Sequence, residues 1–190
     1  LTISGYISLY NDWDILSPAL HSVLPYLDEL IVVDGAYSWM ARFLESIGRN
    51  PERSEPQVHE IIAALGVPVQ YVSSIWNDEL QKRLAGYRAC TGDYVLRIDA
   101  DEVLFFHDGA LDRFLASNYA VAEMEMPTYV APGWIQAWSD QLPRQSFLFK
   151  RSEISAEDHL HYLWLVLTAD ELPEITARLP VFPEPVAFNA

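Results

Sequence analysis

The sequence predicts an α/β fold: a mostly parallel sheet flanked by helices, with a more β-rich C-terminal part. Three observations lead there. Apolar runs of strand length, Leu1 to Leu9, Glu29 to Gly35, Val67 to Val72 and Tyr94 to Glu102, recur along the first half of the chain. Stretches with helical spacing separate them, as crossovers between parallel strands require. Acidic residues or glycine close several of the runs, the punctuation expected where a buried strand leaves a sheet.

Each element follows from local chemistry. Leu1 to Leu9 is an apolar first strand broken by Tyr10-Asn11-Asp12, and Ile15 to Leu27 repeats apolar residues at helical intervals, with Pro18 tolerated near the start. Glu29 to Gly35 is the second strand. Ala36 to Pro56, carrying Gly48, Pro51 and Pro56, is an excursion with a short helix. Val58 to Leu65 is helical and stops at Gly66, before the third strand, Val67 to Val72. Asp78 to Cys90 places Leu80, Leu84 and Tyr87 on a helical pattern, closed by Gly92-Asp93 ahead of Tyr94 to Glu102. Leu111 to Leu115 is a short helix, and Ala122 to Tyr129 and Ser146 to Phe149 are strands around a Trp-rich segment. Pro173, Pro180, Pro183 and Pro185 make residues 171–190 an irregular tail.

Composition narrows the function classes. A chain of 190 residues, 51% hydrophobic and 13% aromatic, buries one core, so residues 1–190 are expected to form a single domain. Twelve basic residues against 27 acidic ones, a formal charge of -15, exclude broad phosphate neutralisation of a nucleic acid. No apolar segment approaches the roughly 20 residues that cross a bilayer. Cys90 is the only cysteine, which rules out an internal disulfide and fits a small buried hydrophobe in a reducing compartment. A soluble, cytoplasmic protein is expected.

The chemistry concentrates at Asp99-Ala100-Asp101-Glu102, where a buried-type strand ends in three carboxylates. Such crowding costs repulsion and desolvation unless a cation offsets it, and hard cations such as Mg²⁺ and Mn²⁺ prefer oxygen ligands. In open α/β sheets ligands bind beyond the carboxyl ends of the strands, and Tyr10 to Asp12 and Asp34 fall at that same edge.

These blocks resemble the GT-A glycosyltransferases, especially glycosyltransferase family 2. The resemblance lies in Ile7-Ser8-Leu9-Tyr10-Asn11-Asp12, Ile31-Val32-Val33-Asp34-Gly35, Asn77-Asp78-Glu79-Leu80-Gln81-Lys82-Arg83 and Thr91 to Glu102, in that order. It covers about the first hundred residues and loosens beyond Glu102. The chain departs from the family pattern at Gly35-Ala36-Tyr37-Ser38 and in the segment to Pro56.

The resemblance implies a GT-A-like, Rossmann-like fold, with residues 1–102 as the nucleotide-binding half and 103–170 as the acceptor and metal half. It implies a metal-dependent transferase that takes a UDP- or GDP-linked sugar to an acceptor the sequence does not identify, with inversion. Tyr10, Asn11 and Asp34 would lie near the base or ribose, and Asp99 near the ribose or metal. Asp101 would bind Mn²⁺ or Mg²⁺ directly, and Arg83 and Lys82 would assist the phosphates. Lys82 reads alternatively as part of a solvated helix face.

The later run Glu157-Asp158-His159-Leu160-His161 offers His159 or His161 as a further metal ligand, which tilts the choice to Mn²⁺, and Asp158 as catalytic base. Trp134, Trp138, Trp164, Tyr129 and Tyr162 form either core packing or an acceptor platform. Two other functions fit less well. A haloacid-dehalogenase-like phosphatase also has Asp-x-Asp after a strand, but near the start of its α/β core. A GT-A-like binding protein without transfer activity would bind donor and turn nothing over. The oligomeric state stays open.

Overall fold

The computed structural model describes residues 1–125, 128–131, 134–136, 144–160 and 187–188. Within them, seven strands form one sheet in the order β3-β2-β1-β4-β8-β5-β9. These are β1 (Ile3–Leu9), β2 (Glu29–Asp34), β3 (Val69–Ser73), β4 (Tyr94–Asp99), β5 (Val121–Glu125), β8 (Arg144–Lys150) and β9 (Ala187–Phe188). A separate hairpin pairs β6 (Thr128–Ala131) with β7 (Trp134–Gln136). The first four strands of the sheet are mutually parallel, and β8 is inserted antiparallel between β4 and β5. The mostly parallel α/β architecture matches the expectation. The tail departs from it at Ala187–Phe188, which pair in parallel with β5.

Alternation along the central strands buries both faces of the sheet, as crossovers that place helices on either side require. On β1, Ile7 joins Leu20, Val32, Ile62 and Phe114 on one face. Its neighbour Tyr6 joins Val33, Tyr87 and Phe149 on the other. The first face packs under α1 (Leu16–Val23), α3 (Pro56–Ala63) and α5 (Ala110–Leu115), and the second under α4 (Glu79–Ala89) and α6 (Ala156–His159). At Gly86 of α4 an added Cβ would lie 2.6 Å from the Tyr6 ring, so glycine lets the helix sit close to the sheet.

Local signals explain most element ends. The α-helix expected to Leu27 stops at Val23, and Pro25 falls in a 3₁₀ turn, Leu24–Tyr26, because proline has no N–H for the helical ladder. Asp78 caps α4 by accepting the Gln81 N–H at 2.7 Å. The apolar face expected for α4 is only partly right: Leu80 is 40% exposed, while Lys82 and Gly86 face inward. Cys90 is buried, as expected, and burial pushes its thiol well above the ordinary range. Among the described residues no helix is long and apolar enough to cross a membrane.

Candidate functional site

A cleft of about 330 Å³ opens at the carboxyl edge of the sheet. It is lined by Tyr10 and Asp12 after β1, by Gly35, Tyr37 and Met40 after β2, and by Glu79, Lys82 and Arg83 from the N-terminal half of α4. Parallel strands bring these segments together, because successive crossovers deliver each strand's end to the same side. Tyr37 opens α2 (Ser38–Ser46), so the excursion between β2 and α3 builds one wall.

Lys82 brings a cation to the cleft and is only 3% exposed, which overturns its reading as part of a solvated helix face. Its Nζ donates to the carbonyl oxygens of Leu9 and Gly35, each at 2.8 Å, and lies 5.4 Å from the centre of the Tyr37 ring. Two strand ends are thereby joined by one ammonium. Burial pushes its pKa down to about 8, so the group still carries its charge at neutral pH.

Arg83 reaches from the cleft to the end of β4, where its Nη1 lies 2.8 Å from Asp99 Oδ1, and it also pairs with Glu79. Asp99 stands opposite Ser8, a further lining residue of the cleft, in the β1–β4 register. Beneath them Arg97, only 1% exposed, lies 3.7 Å from Asp99 and 3.4 Å from Glu102. Residue alternation on β4 puts Arg97 and Asp99 on one side, which is why an interior arginine meets the acidic strand end.

The carboxylates repel one another. Glu102 is pushed up to about 7, by burial first and then by Asp99. Burial also raises Asp12, with Asp101 and Asp14 adding to the effect. Asp101 is exposed, and no hydrogen bond or ion pair with a described residue engages it. An exposed carboxylate beside other acidic groups suits the oxygen preference of a hard divalent cation, and Asp101 is the residue that could hold one. Among the described residues no three His, Cys, Asp or Glu converge as a ready-made metal cage, so ligand and water oxygens would complete such a shell.

Other expected site residues lie elsewhere. Asp34 is wholly buried, and its carboxylate faces Ser54 rather than the cleft. Asn11 contributes its side chain to a loop contact, accepting the Glu55 N–H at 2.7 Å. His159 is buried between aromatic rings, stacked on Tyr87 at 4.2 Å, with Nδ1 2.5 Å from Ala156 O and Nε2 3.2 Å from the Tyr6 hydroxyl. Both ring nitrogens are thus engaged within the core, which removes His159 from the expected metal set. Burial pushes its pKa down to about 4.

Asp158 is exposed and shares a reciprocal cap with Ser155, whose hydroxyl donates to it at 2.7 Å. Its neighbour Glu157 pairs with Arg88, near the C-terminal end of α4, whereas the cleft uses the other end of that helix. Asp158 therefore stands apart from the cleft, in the first turn of α6 and bonded to its N-cap Ser155. His161, Trp138, Tyr162 and Trp164 lie outside the described residues, as do the side chains of Tyr129 and Trp134. A second pocket, about 40 Å³ and walled by Phe106, Phe114 and Phe147, offers mainly apolar contact.

No protein-family model matches the chain, and no curated protein matches it. Solved structures do. S. aureus TarS, residues 1–349, is similar at 17% identity and a TM-score of 0.46, over 74% of this chain and 40% of that one. The complex of the same protein with UDP-GlcNAc gives 16% identity and a TM-score of 0.48, over 73% and 38%. Glucosyl-3-phosphoglycerate synthase from Mycobacterium tuberculosis, in complex with Mn²⁺, UDP-glucose and phosphoglyceric acid, gives 18% and 0.43, over 65% and 42%. The chain spans about two-fifths of the length of these proteins. The chemistry of the cleft follows from its own residues.

Proposed function

We propose that the cleft binds a nucleoside-diphosphate sugar, UDP- or GDP-linked, together with Mn²⁺ or Mg²⁺, and that the protein is an inverting glycosyltransferase of a reducing, cytoplasmic compartment. One observation carries the reading: Lys82 and Arg83 stand in the same small cleft as Asp12, with Asp101 and Glu102 close by. A ligand carrying anionic oxygens, and able to share a cation with carboxylates, makes use of both charges at once. A diphosphate does this. The resemblance of the Tyr10, Asp34, Arg83 and Asp99–Asp101 blocks to glycosyltransferase family 2 adds the sugar.

In this reading Lys82, already fixed by two carbonyls, presents charge to the phosphates without having to reorganise. Arg83 divides its guanidinium between Asp99 and the ligand, so binding and the position of the β4 end are linked. Asp101 holds the cation, while Asp99, engaged by Arg83 and Arg97, keeps the end of β4 in place beside it. The bound cation supplies Lewis-acid charge to the departing diphosphate. Tyr10 and Tyr37 offer aromatic faces for a base. Asp158 has no part in the reaction, and a phosphatase with Asp99 as nucleophile is disfavoured because Arg83 and Arg97 already engage that carboxylate.

A thermal-shift series with UDP, GDP and ADP, with and without Mn²⁺, tests the reading. Stabilisation by UDP or GDP that needs Mn²⁺ and disappears in Asp101→Ala supports it. Equal stabilisation of both proteins, or none by any nucleotide, refutes it.

A further inference from the structure

The segment from Asn50 to Glu55 crosses the carboxyl ends of β1 and β2 and is fastened to both. On the β2 side, Asp34 accepts the Ser54 N–H at 2.9 and 3.1 Å and the Ser54 hydroxyl at 2.6 Å, while the Ala36 N–H donates to Pro51 O at 2.7 Å. On the β1 side, the Ser54 hydroxyl oxygen accepts the Asn11 N–H at 3.0 Å, and the Tyr10 hydroxyl donates to Asn50 O at 2.9 Å. Ser54 is thus bonded to both strand ends. Its single hydroxyl proton goes to Asp34 and a lone pair takes the Asn11 amide.

This arrangement has a backbone cost that it must hold in place. Asn11 adopts φ 60, a left-handed conformation uncommon outside glycine, with the Ser54 and Glu55 contacts on either side of it. Asp34, 0% exposed, would lose its three contacts from Ser54 if the segment lifted away, with His59 3.8 Å from the carboxylate. The segment therefore has a strong reason to stay closed. Tyr10 lines the cleft while its hydroxyl is tied to Asn50, so the place of its ring depends on this strap.

We propose that Ser54 is a positioning residue of the cleft. Anchored on Asp34, it holds the strap 50–55 and, through the strap, the Tyr10 wall, so that affinity for the nucleoside part of a ligand depends on a serine that does not touch it. The inference rests on the nucleotide reading above. It separates the nucleoside wall, which Ser54 controls, from the phosphate contacts of Lys82 and Arg83, which it does not.

The experiment is Ser54→Ala, with Asn11→Gly as a second variant that removes the Glu55 contact while glycine adopts φ 60 freely. Hydrogen exchange is followed in both, and UDP and inorganic pyrophosphate are titrated in the presence of Mn²⁺. Exchange of the Asn11 and strap amides is expected to rise about tenfold or more while β1 and β4 amides hold. The Kd for UDP should rise about tenfold and that for pyrophosphate by less than about twofold. Unchanged strap exchange, or equal weakening of UDP and pyrophosphate, overturns the proposal. If the unaltered protein binds no nucleotide, the donor reading falls and takes this role with it. If it binds UDP and both variants bind equally well, the role of Ser54 alone falls.

Discussion

Arg83 holds Asp99 at 2.8 Å, tying the end of β4 to the N-terminal half of α4 beside the cleft. Both side chains are largely buried, at 12% and 18% exposure, so the pair is not a screened surface contact. Breaking such a pair strands one charge away from water. Arg83→Met is expected to destabilise the fold by about 3 kcal/mol, read from urea unfolding, and to weaken UDP binding about tenfold or more. Unchanged UDP affinity in a folded variant would take Arg83 out of the binding role.

Lys82 gives the cleft its fixed ammonium and joins the ends of β1 and β2. Lys82→Met keeps most of the apolar stem and leaves the Leu9 and Gly35 carbonyls without the Lys82 donor. A loss of about 2 kcal/mol in unfolding free energy is expected, along with a fall of about tenfold or more in pyrophosphate affinity measured by calorimetry. A stability loss with intact pyrophosphate binding would make Lys82 purely a brace.

His159 and Glu102 make opposite contributions to stability as pH changes. His159 is held neutral in the fold to about pH 4, so on acidification the unfolded chain takes the proton first, near the ordinary value of about 6.5. Stability from this group is complete above that value and is lost as pH falls from 6.5 to 4, by about 3 kcal/mol. Glu102 keeps its proton in the fold up to about pH 7, against about 4.3 unfolded, so stability falls as pH rises across that interval, again by about 3 kcal/mol. The two slopes partly cancel between about pH 4.5 and 6.5. Urea midpoints from pH 4 to 8.5 should show the acid limb flattened in His159→Gln and the neutral limb flattened in Glu102→Gln. Added Mn²⁺ should restore stability above pH 7 in the unaltered protein.

Gly35 follows Asp34 with φ 115, and a Cβ there would stand 1.9 Å from Ser74 O. Backbone against backbone leaves no flexible atom to yield. Gly35→Ala is expected to cost at least about 3 kcal/mol, visible as a lowered Tm, and to disturb the Lys82 contact with the Gly35 carbonyl. A Tm within about 2 °C of the original would contradict this geometry.

How much of this was legible in the sequence depended on how local the signal was. The parallel core is legible because apolar runs and crossover helices alternate along the chain, and the buried Cys90 follows from a single residue. The insertion of β8 between β4 and β5 is a long-range pairing with no local trace. Lys82 stays ambiguous in the sequence because charge suggests solvent, although Gly86, one turn further on the same helical face, lets the helix approach the sheet closely. The burial of Asp34 is not legible because nothing local ties it to Ser54, twenty residues away in an irregular stretch. His159 and Asp158 are neighbours in sequence, but α6 turns the histidine into an aromatic core and the aspartate back onto Ser155.

Paramagnetic broadening by Mn²⁺ of backbone amide signals, recorded with and without UDP, tests the metal–diphosphate cleft most directly. Broadening centred on Asp99 to Glu102 and reaching Tyr10 to Asp12 and Gly35 to Tyr37, strengthened by UDP and absent in Asp101→Ala, is the predicted result. Broadening centred on any other surface, or a pattern indifferent to UDP and to Asp101, would contradict it.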